Sequence, residues 1–233
     1  MFATALTLAL AGAAVASPVI VPNYPPKATS DGFRLVVNVT DPSRDLSPSI
    51  QNTYVTSIHT GAGLNYIGQS ADQKAARTFF VNGTAGEVHY GQSHVLSNAG
   101  YIIEGLGRAP DAKSDKNATY ITLNGGSGGP GIGLTHFPDP YTYLYPDSYY
   151  ACKEPLAYYG GKEFVVIKNV PVTITSDGQI EYNIPEGCAP VNLVSECAEL
   201  TEIPDGFHID HQFVSKAECY KDVSSLDWTK YGP

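Results

Sequence analysis

Apolar and polar side chains alternate along much of this chain. From Gly32 to Thr40, Phe33, Leu35, Val37 and Val39 alternate with Arg34, Val36 and Asn38. A period of two sends every second side chain to one side of an extended backbone, so the run predicts a strand with one buried face. Residues 54–59 predict a second short strand, ended by Gly61-Ala62-Gly63, and residues 41–48 between the two read as a turn. Residues 77–81 and 87–90 flank Asn82-Gly83, a step that favours the tight turn of a hairpin. Further strand-like runs lie at 118–123, 164–167 and 170–175. The last continues through Ser176-Asp177-Gly178 into residues 179–184, the clearest hairpin in the chain. Helical spacing is confined to 211–223, where Phe213, Val214, Ala217, Tyr220 and Lys221 recur at intervals of three to four. Short strands separated by turn chemistry predict a mainly β fold: a single antiparallel β-sandwich or barrel-like domain with a short C-terminal helix. No internal repeat is visible.

The start of the chain departs from this pattern. Residues 1–16 carry no charged side chain, are apolar or small, and close on Ala14-Val15-Ala16. That is the form of a secretory signal peptide, with cleavage expected after Ala16. A spanning helix needs about 20 apolar residues, and Pro18, Pro22, Pro25 and Pro26 interrupt the run too early. Residues 17–30 form a Pro-rich extended segment, and residues 31–233 a single secreted domain. The polar ending at 227–233 is unlike the hydrophobic tail of a lipid-anchor signal. The expected location is extracellular, free or in the cell wall.

Two residue types agree with export. The four cysteines, Cys152, Cys188, Cys197 and Cys219, are even in number and none forms a Cys-x-x-Cys pair. In an oxidising compartment they make two disulfides, for which three connectivities are open. The expected pairing is Cys188 with Cys197, closing a short loop, and Cys152 with Cys219. Asn38-Val39-Thr40, Asn82-Gly83-Thr84 and Asn117-Ala118-Thr119 are N-glycosylation acceptor triplets, expected on surface turns.

Charge removes two classes of partner. Lys plus Arg number 14 against 23 for Asp plus Glu, a net charge of −9 with no basic cluster. Such a chain lacks the electrostatic footprint of a nucleic-acid binder and is repelled by anionic membranes. Charged residues are only 16% of the chain, while Tyr occurs 16 times, a composition suited to a rigid extracellular β protein.

Candidate chemistry is thin. Gly125-Gly126-Ser127-Gly128-Gly129 matches the Gly-x-Ser-x-Gly spacing of a nucleophile elbow. That motif needs a helix directly behind it, whereas Pro130-Gly131-Ile132-Gly133 follows, so a surface loop is expected. His208-Ile209-Asp210-His211 gathers two imidazoles and a carboxylate, yet isolated sets of this kind are mostly surface turns; no metal and no cofactor are expected. Copper enzymes that use an N-terminal histidine are excluded by a mature start at Ser17 or Pro18. A glycosidase needs two facing carboxylates, defined by separation in space. Glu87, Glu104, Asp139, Glu163 and Glu181 are candidates, and such a secreted hydrolase is the alternative reading. The tract 137–150 is more suggestive. An extended backbone there puts Tyr141, Tyr143 and Tyr145 on one face, where phenol rings can stack on sugar rings.

Several strings carry a family likeness: residues 32–50 (Gly32-Phe33-Arg34 through Ile50), Ile58-His59-Thr60-Gly61-Ala62-Gly63-Leu64-Asn65, Thr78-Phe79-Phe80-Val81-Asn82-Gly83, Glu186-Gly187-Cys188, Glu196-Cys197, and Cys219 through Trp228. From about Gly32 to Trp228 the chain resembles a family of small secreted proteins of filamentous fungi. That family is treated as a domain of unknown function, and some members are labelled immunoglobulin-E-binding proteins. The resemblance implies a fungal extracellular protein and supplies no catalytic residues; the label describes a host antibody response. The expected function is therefore non-catalytic, with a cell-wall polysaccharide or a host extracellular protein as partner.

Overall fold

The computed structural model describes residues 23–98, 100, 102–136, 138–203 and 211–232. The expected signal peptide, the first part of the Pro-rich segment, His208 and Asp210 lie outside the described residues. In chain order the elements are β1 (Ala28–Ser30), β2 (Gly32–Val39), β3 (Tyr54–Gly61), β4 (Leu64–Ser70), β5 (Phe79–Asn82), α1 (Ala85–His89), β6 (His94–Asn98), β7 (Ile103–Pro110) and β8 (Thr119–Gly125). There follow β9 (Gly133–Leu134), β10 (Leu144–Tyr145), β11 (Tyr149–Leu156), β12 (Lys162–Asn169), β13 (Val172–Ile174), β14 (Ile180–Tyr182), β15 (Ala189–Ala198), β16 (Val214–Ser215) and β17 (Ala217–Cys219).

The main sheet closes on itself. β11 pairs with β15, β15 with β2, β2 with β5, and β5 through β6, β7 and β8 with β12, which pairs with β11 again. The β3–β4 hairpin bridges β2 to β8 and β12. All these pairings are antiparallel, so the mainly β, barrel-like expectation holds.

Period-two alternation sorts the side chains. Phe33, Leu35, Val37 and Val39 of β2 enter the main core with Ile121 and Leu123 of β8, Tyr149 and Ala151 of β11, Ile167 of β12 and Leu193 of β15. The opposite face is not left bare. Val36 and Val194 are covered by Tyr220, Val223 and Trp228, and Tyr150 and Cys152 by Ala118, Val170 and Cys188.

Three local expectations are corrected. The expected strand at 87–90 is instead the helix α1, and β5 forms its hairpin with β6. Thr84 caps the helix by accepting from the Glu87 N–H, while the Glu87 carboxylate accepts from the Thr84 N–H. This reciprocal capping box outweighs the Asn82-Gly83 turn signal. Secondly, the expected C-terminal helix at 211–223 is two short strands, β16 on β5 and β17 on β1. Sheet edges in need of partners decide that segment.

The third correction concerns the cysteines. Cys152 is bonded to Cys188 and Cys197 to Cys219. Cys188 immediately precedes β15 and Cys197 lies near its far end, about 30 Å apart at roughly 3.3 Å per extended residue, far beyond disulfide reach. Cys152 lies beside Cys188 because β11 and β15 pair Ala151 with Ala189. Non-reducing peptide mapping is expected to recover these two links; a Cys188–Cys197 peptide would overturn the register.

Candidate functional site

The Tyr tract reaches the surface between two anchored rows. Thr142 and Leu144 point inward: the Thr142 Oγ1 bonds Ser195 Oγ (2.8 Å) and donates to the Glu218 carbonyl (2.9 Å), and Leu144 joins the main core. Tyr141, Tyr143 and Tyr145, each half-buried, take the alternate positions. β10 is paired with β9, so Tyr145 faces Gly133, and the Tyr145 ring lies over that glycine. A Cβ there would sit 2.5 Å from the ring's phenolic carbon, which is why only glycine fits opposite this tyrosine. Both backbone groups of Tyr143 are held by Thr135: its N–H donates to Thr135 Oγ1 (3.0 Å) and its carbonyl accepts from the Thr135 N–H (3.0 Å).

Tyr143 and Tyr145 line a cleft of about 640 Å³ together with His136, Pro138, Asp139 and Asp147. Two smaller clefts adjoin it at the 146–148 corner. One, of about 450 Å³, shares Tyr143 and Asp147 and adds Arg44, Asn192 and Tyr182. The other, of about 470 Å³, shares Pro146 and Asp147 and adds Arg108, Val172, Ile180 and Tyr182. Together they make one branched groove walled by the β13–β14 hairpin. On that hairpin Val172 pairs with Tyr182 and Ile174 with Ile180, an apolar face that stays exposed, Tyr182 at 55%. Tyr141 does not line the groove. Its ring packs edge-on against Tyr24 (5.4 Å) and tilted towards Trp228 (6.3 Å).

Burial, with Asp147 and Asp139 nearby, pushes the Tyr143 phenol up to about 12. Burial also raises Tyr145. Both hydroxyls stay protonated and can donate to a ligand. Among the described residues neither Asp139 nor Asp147 takes part in an ion pair. Asp139 accepts the Tyr141 N–H at 3.2 Å. Ser148, at the seam of the two smaller clefts, is 8% exposed, has a left-handed backbone (φ 72°) and a hydroxyl without a hydrogen-bond partner. A buried hydroxyl left unpaired costs about 1–3 kcal/mol, and such costs gather at ligand sites.

A second polar cluster was not legible in sequence. Lys168 of β12, 4% exposed, donates to Asp111 Oδ2 (2.7 Å), pairs with Glu154, and stands over the Tyr120 ring at 4.1 Å. The Tyr120 hydroxyl donates to Glu154 (2.8 Å), and its ring stacks on Tyr66 at 4.3 Å. Strand register makes this set: Lys168 lies opposite Tyr150 in β11 and opposite Tyr120 in β8. Burial opposes the ammonium, but the hydrogen bonds to Asp111 and Glu154 hold its pKa above the ordinary lysine value. The lysine therefore stays charged and is no nucleophile.

The other candidates separate in the same way. Glu104, 6% exposed, is held by Arg77 (2.5 Å) and by the Asn65 amide (2.9 Å), and Glu87 is taken by its helix cap. Glu163 and Glu181 are exposed on β12 and β14. Of the five carboxylates expected from sequence, Asp139 alone lines the groove. Ser127 sits on an exposed loop laid against β7, where Gly129 donates to the Leu106 carbonyl (2.9 Å). A Cβ on Gly128 would lie 2.4 Å from that carbonyl oxygen, so close backbone approach explains the glycines. Asn38 lies within β2 with its side-chain oxygen bound by Gln51 (3.1 Å), and Asn82 ends β5; neither stands in a turn. Asn117 is exposed on a turn at φ 57°.

A family profile described as a domain of unknown function (DUF7907) matches residues 30–197. The antigenic protein SchS34 of Stachybotrys chartarum is 49% identical over 221 residues, covering 94% of this chain and 99% of its own. No solved structure matches. Among the described residues no helix is long and apolar enough to cross a membrane.

Proposed function

From the premise that the chain belongs to the DUF7907 family of unknown function, we propose that it is a secreted, non-catalytic protein that binds a glycan in the groove at Tyr143, Tyr145 and Tyr182. The observation that carries this reading is the cleft itself. Two phenol rings anchored by β9 and Thr135 share its wall with two carboxylates that take part in no ion pair among the described residues. Flat rings offer an apolar face to a pyranose, while hydroxyls and carboxylates take its edges. Two disulfides and a leading segment free of charge support an extracellular setting. Asn117 is the acceptor best presented for N-glycosylation. The printed description of the Stachybotrys relative, an antigenic protein, is compatible with a protein met outside the cell.

Retention on insoluble chitin, glucan and cellulose tests the reading. Tyr143→Ala with Tyr145→Ala is expected to lower retention about tenfold, each ring being worth about 0.5–1.5 kcal/mol beyond its area. Tyr141→Ala, outside the groove, is expected to keep it. Far-UV circular dichroism guards against misfolding. Equal retention of wild type and the double variant removes the proposal, and release of new reducing ends by wild type would replace it with the hydrolase.

A further inference from the structure

We infer that the groove selects an oligosaccharide of amino sugars carrying free, protonated amines, such as β-linked glucosamine, over its N-acetylated or neutral counterparts. The inference rests on the glycan reading and names the ligand class for it. Three features converge on that class. Asp139 and Asp147 flank the same phenol, Tyr143, and neither is neutralised by a cation among the described residues. Elsewhere in the fold the buried or half-buried carboxylates Glu104, Asp111, Glu154 and Glu218 are each paired with Arg77, Lys168 or Lys27. Near the cleft, Lys27 is committed to Glu218 and to the Asp139 carbonyl, and Arg44 to the Ile184 and Pro185 carbonyls, which leaves both cleft carboxylates beside the aromatic rings outside any ion pair among the described residues.

Secondly, an ammonium group is attracted both by a carboxylate and by the face of a phenol ring. A pyranose stacked on Tyr143 or Tyr145 carries its amine at the ring edge, where the carboxylates line the cleft. Thirdly, the groove continues past the corner into the two adjoining clefts of about 450 and 470 Å³, which favours a chain of several units over a single sugar. The net charge of −9 adds long-range attraction for a polycation and repels acidic polysaccharides.

Titration calorimetry with defined hexamers of glucosamine, N-acetylglucosamine and glucose tests this, at mildly acidic pH and physiological salt. The glucosamine hexamer is expected to bind about tenfold tighter than the other two, the scale of one charge-assisted contact. Asp139→Asn with Asp147→Asn is expected to abolish that preference. Glu163→Gln with Glu199→Gln, which changes net charge equally on exposed positions away from the groove, is expected to keep it. Equal loss in both charge pairs would reduce the effect to bulk attraction and overturn the inference. Tighter Tyr143-dependent binding of the N-acetylated or glucose hexamer would overturn the inference and leave the glycan reading standing. Binding of no hexamer by a folded wild type overturns both.

Discussion

Replacing Lys168 by methionine will lower the unfolding free energy by about 3–5 kcal/mol at neutral pH, the usual cost of removing one partner from a buried ion pair. Methionine keeps the length and apolar stem of the side chain, so the change isolates the charge. It leaves Asp111 and Glu154 without the ammonium they share, with only the charge of Lys113 remaining near Asp111, and takes the ring of Tyr120 from its cation. The sign of the pH dependence follows. Burial raises the Asp111 carboxyl, but hydrogen bonds from Lys168 and Lys113 with the lysine charges outweigh it and hold the pKa below the ordinary value. Its contribution is then present above about pH 4 and lost as pH falls through the lower folded value. The raised Lys168 contributes fully below about pH 10.5 and loses its share as pH rises through its folded value. The variant's deficit should thus be widest between those limits and shrink in acid, where the stranded carboxylates protonate. Equilibrium urea unfolding at neutral and acidic pH reads it. A deficit under about 1 kcal/mol at neutral pH would mean the pair is solvated like a surface bridge.

Removing the Cys152–Cys188 disulfide by serine at both positions will cost about 4 kcal/mol, and removing Cys197–Cys219 about 3 kcal/mol. The order follows from closed segments of 36 and 22 residues, since a longer loop gains more freedom in the unfolded chain. The first should also loosen the outer cluster, because Tyr150, Ala118 and Val170 pack on those sulfurs. In a chain of this size roughly 10 °C of melting temperature is at stake for the first. Paired melts of wild type and the two double variants test both size and order. Unchanged melting for the Cys152/Cys188 variant would show that the strand pairing alone holds that face.

These expectations mark how far the sequence could be read. β2, β5, β8, β12 and the β13–β14 hairpin declare themselves because half their side chains face one core or a turn of strong chemistry joins them. β15, the longest strand, was hidden: Pro190 and Cys197 break its pattern, and both its faces are covered, so alternation vanishes. The helix α1 was visible in principle in Thr84-x-x-Glu87, but the neighbouring Asn-Gly step pointed the other way. The outward row of Tyr141, Tyr143 and Tyr145 followed from alternation alone. That Tyr141 turns to Tyr24 and Trp228, and that Tyr182 joins the groove, depends on segments far apart in the chain. The Lys168 cluster is of the same kind, since only register sets Lys168 beside Tyr120 and Tyr150.

The pairing of β2 with β15, Phe33 opposite Cys197 and Val39 opposite Val191, also governs how the molecule comes into being. The first long strand to leave the ribosome finds its main partner only after most of the polypeptide has followed. Until then β2 presents Phe33, Leu35 and Val37 with an unpaired backbone edge, a template for adhesion between nascent chains. Assembly should therefore be late and slow, on the scale of milliseconds to seconds typical of distant strand pairing. A biosynthetic route that shelters the emerging segment would suit it better than unaided release.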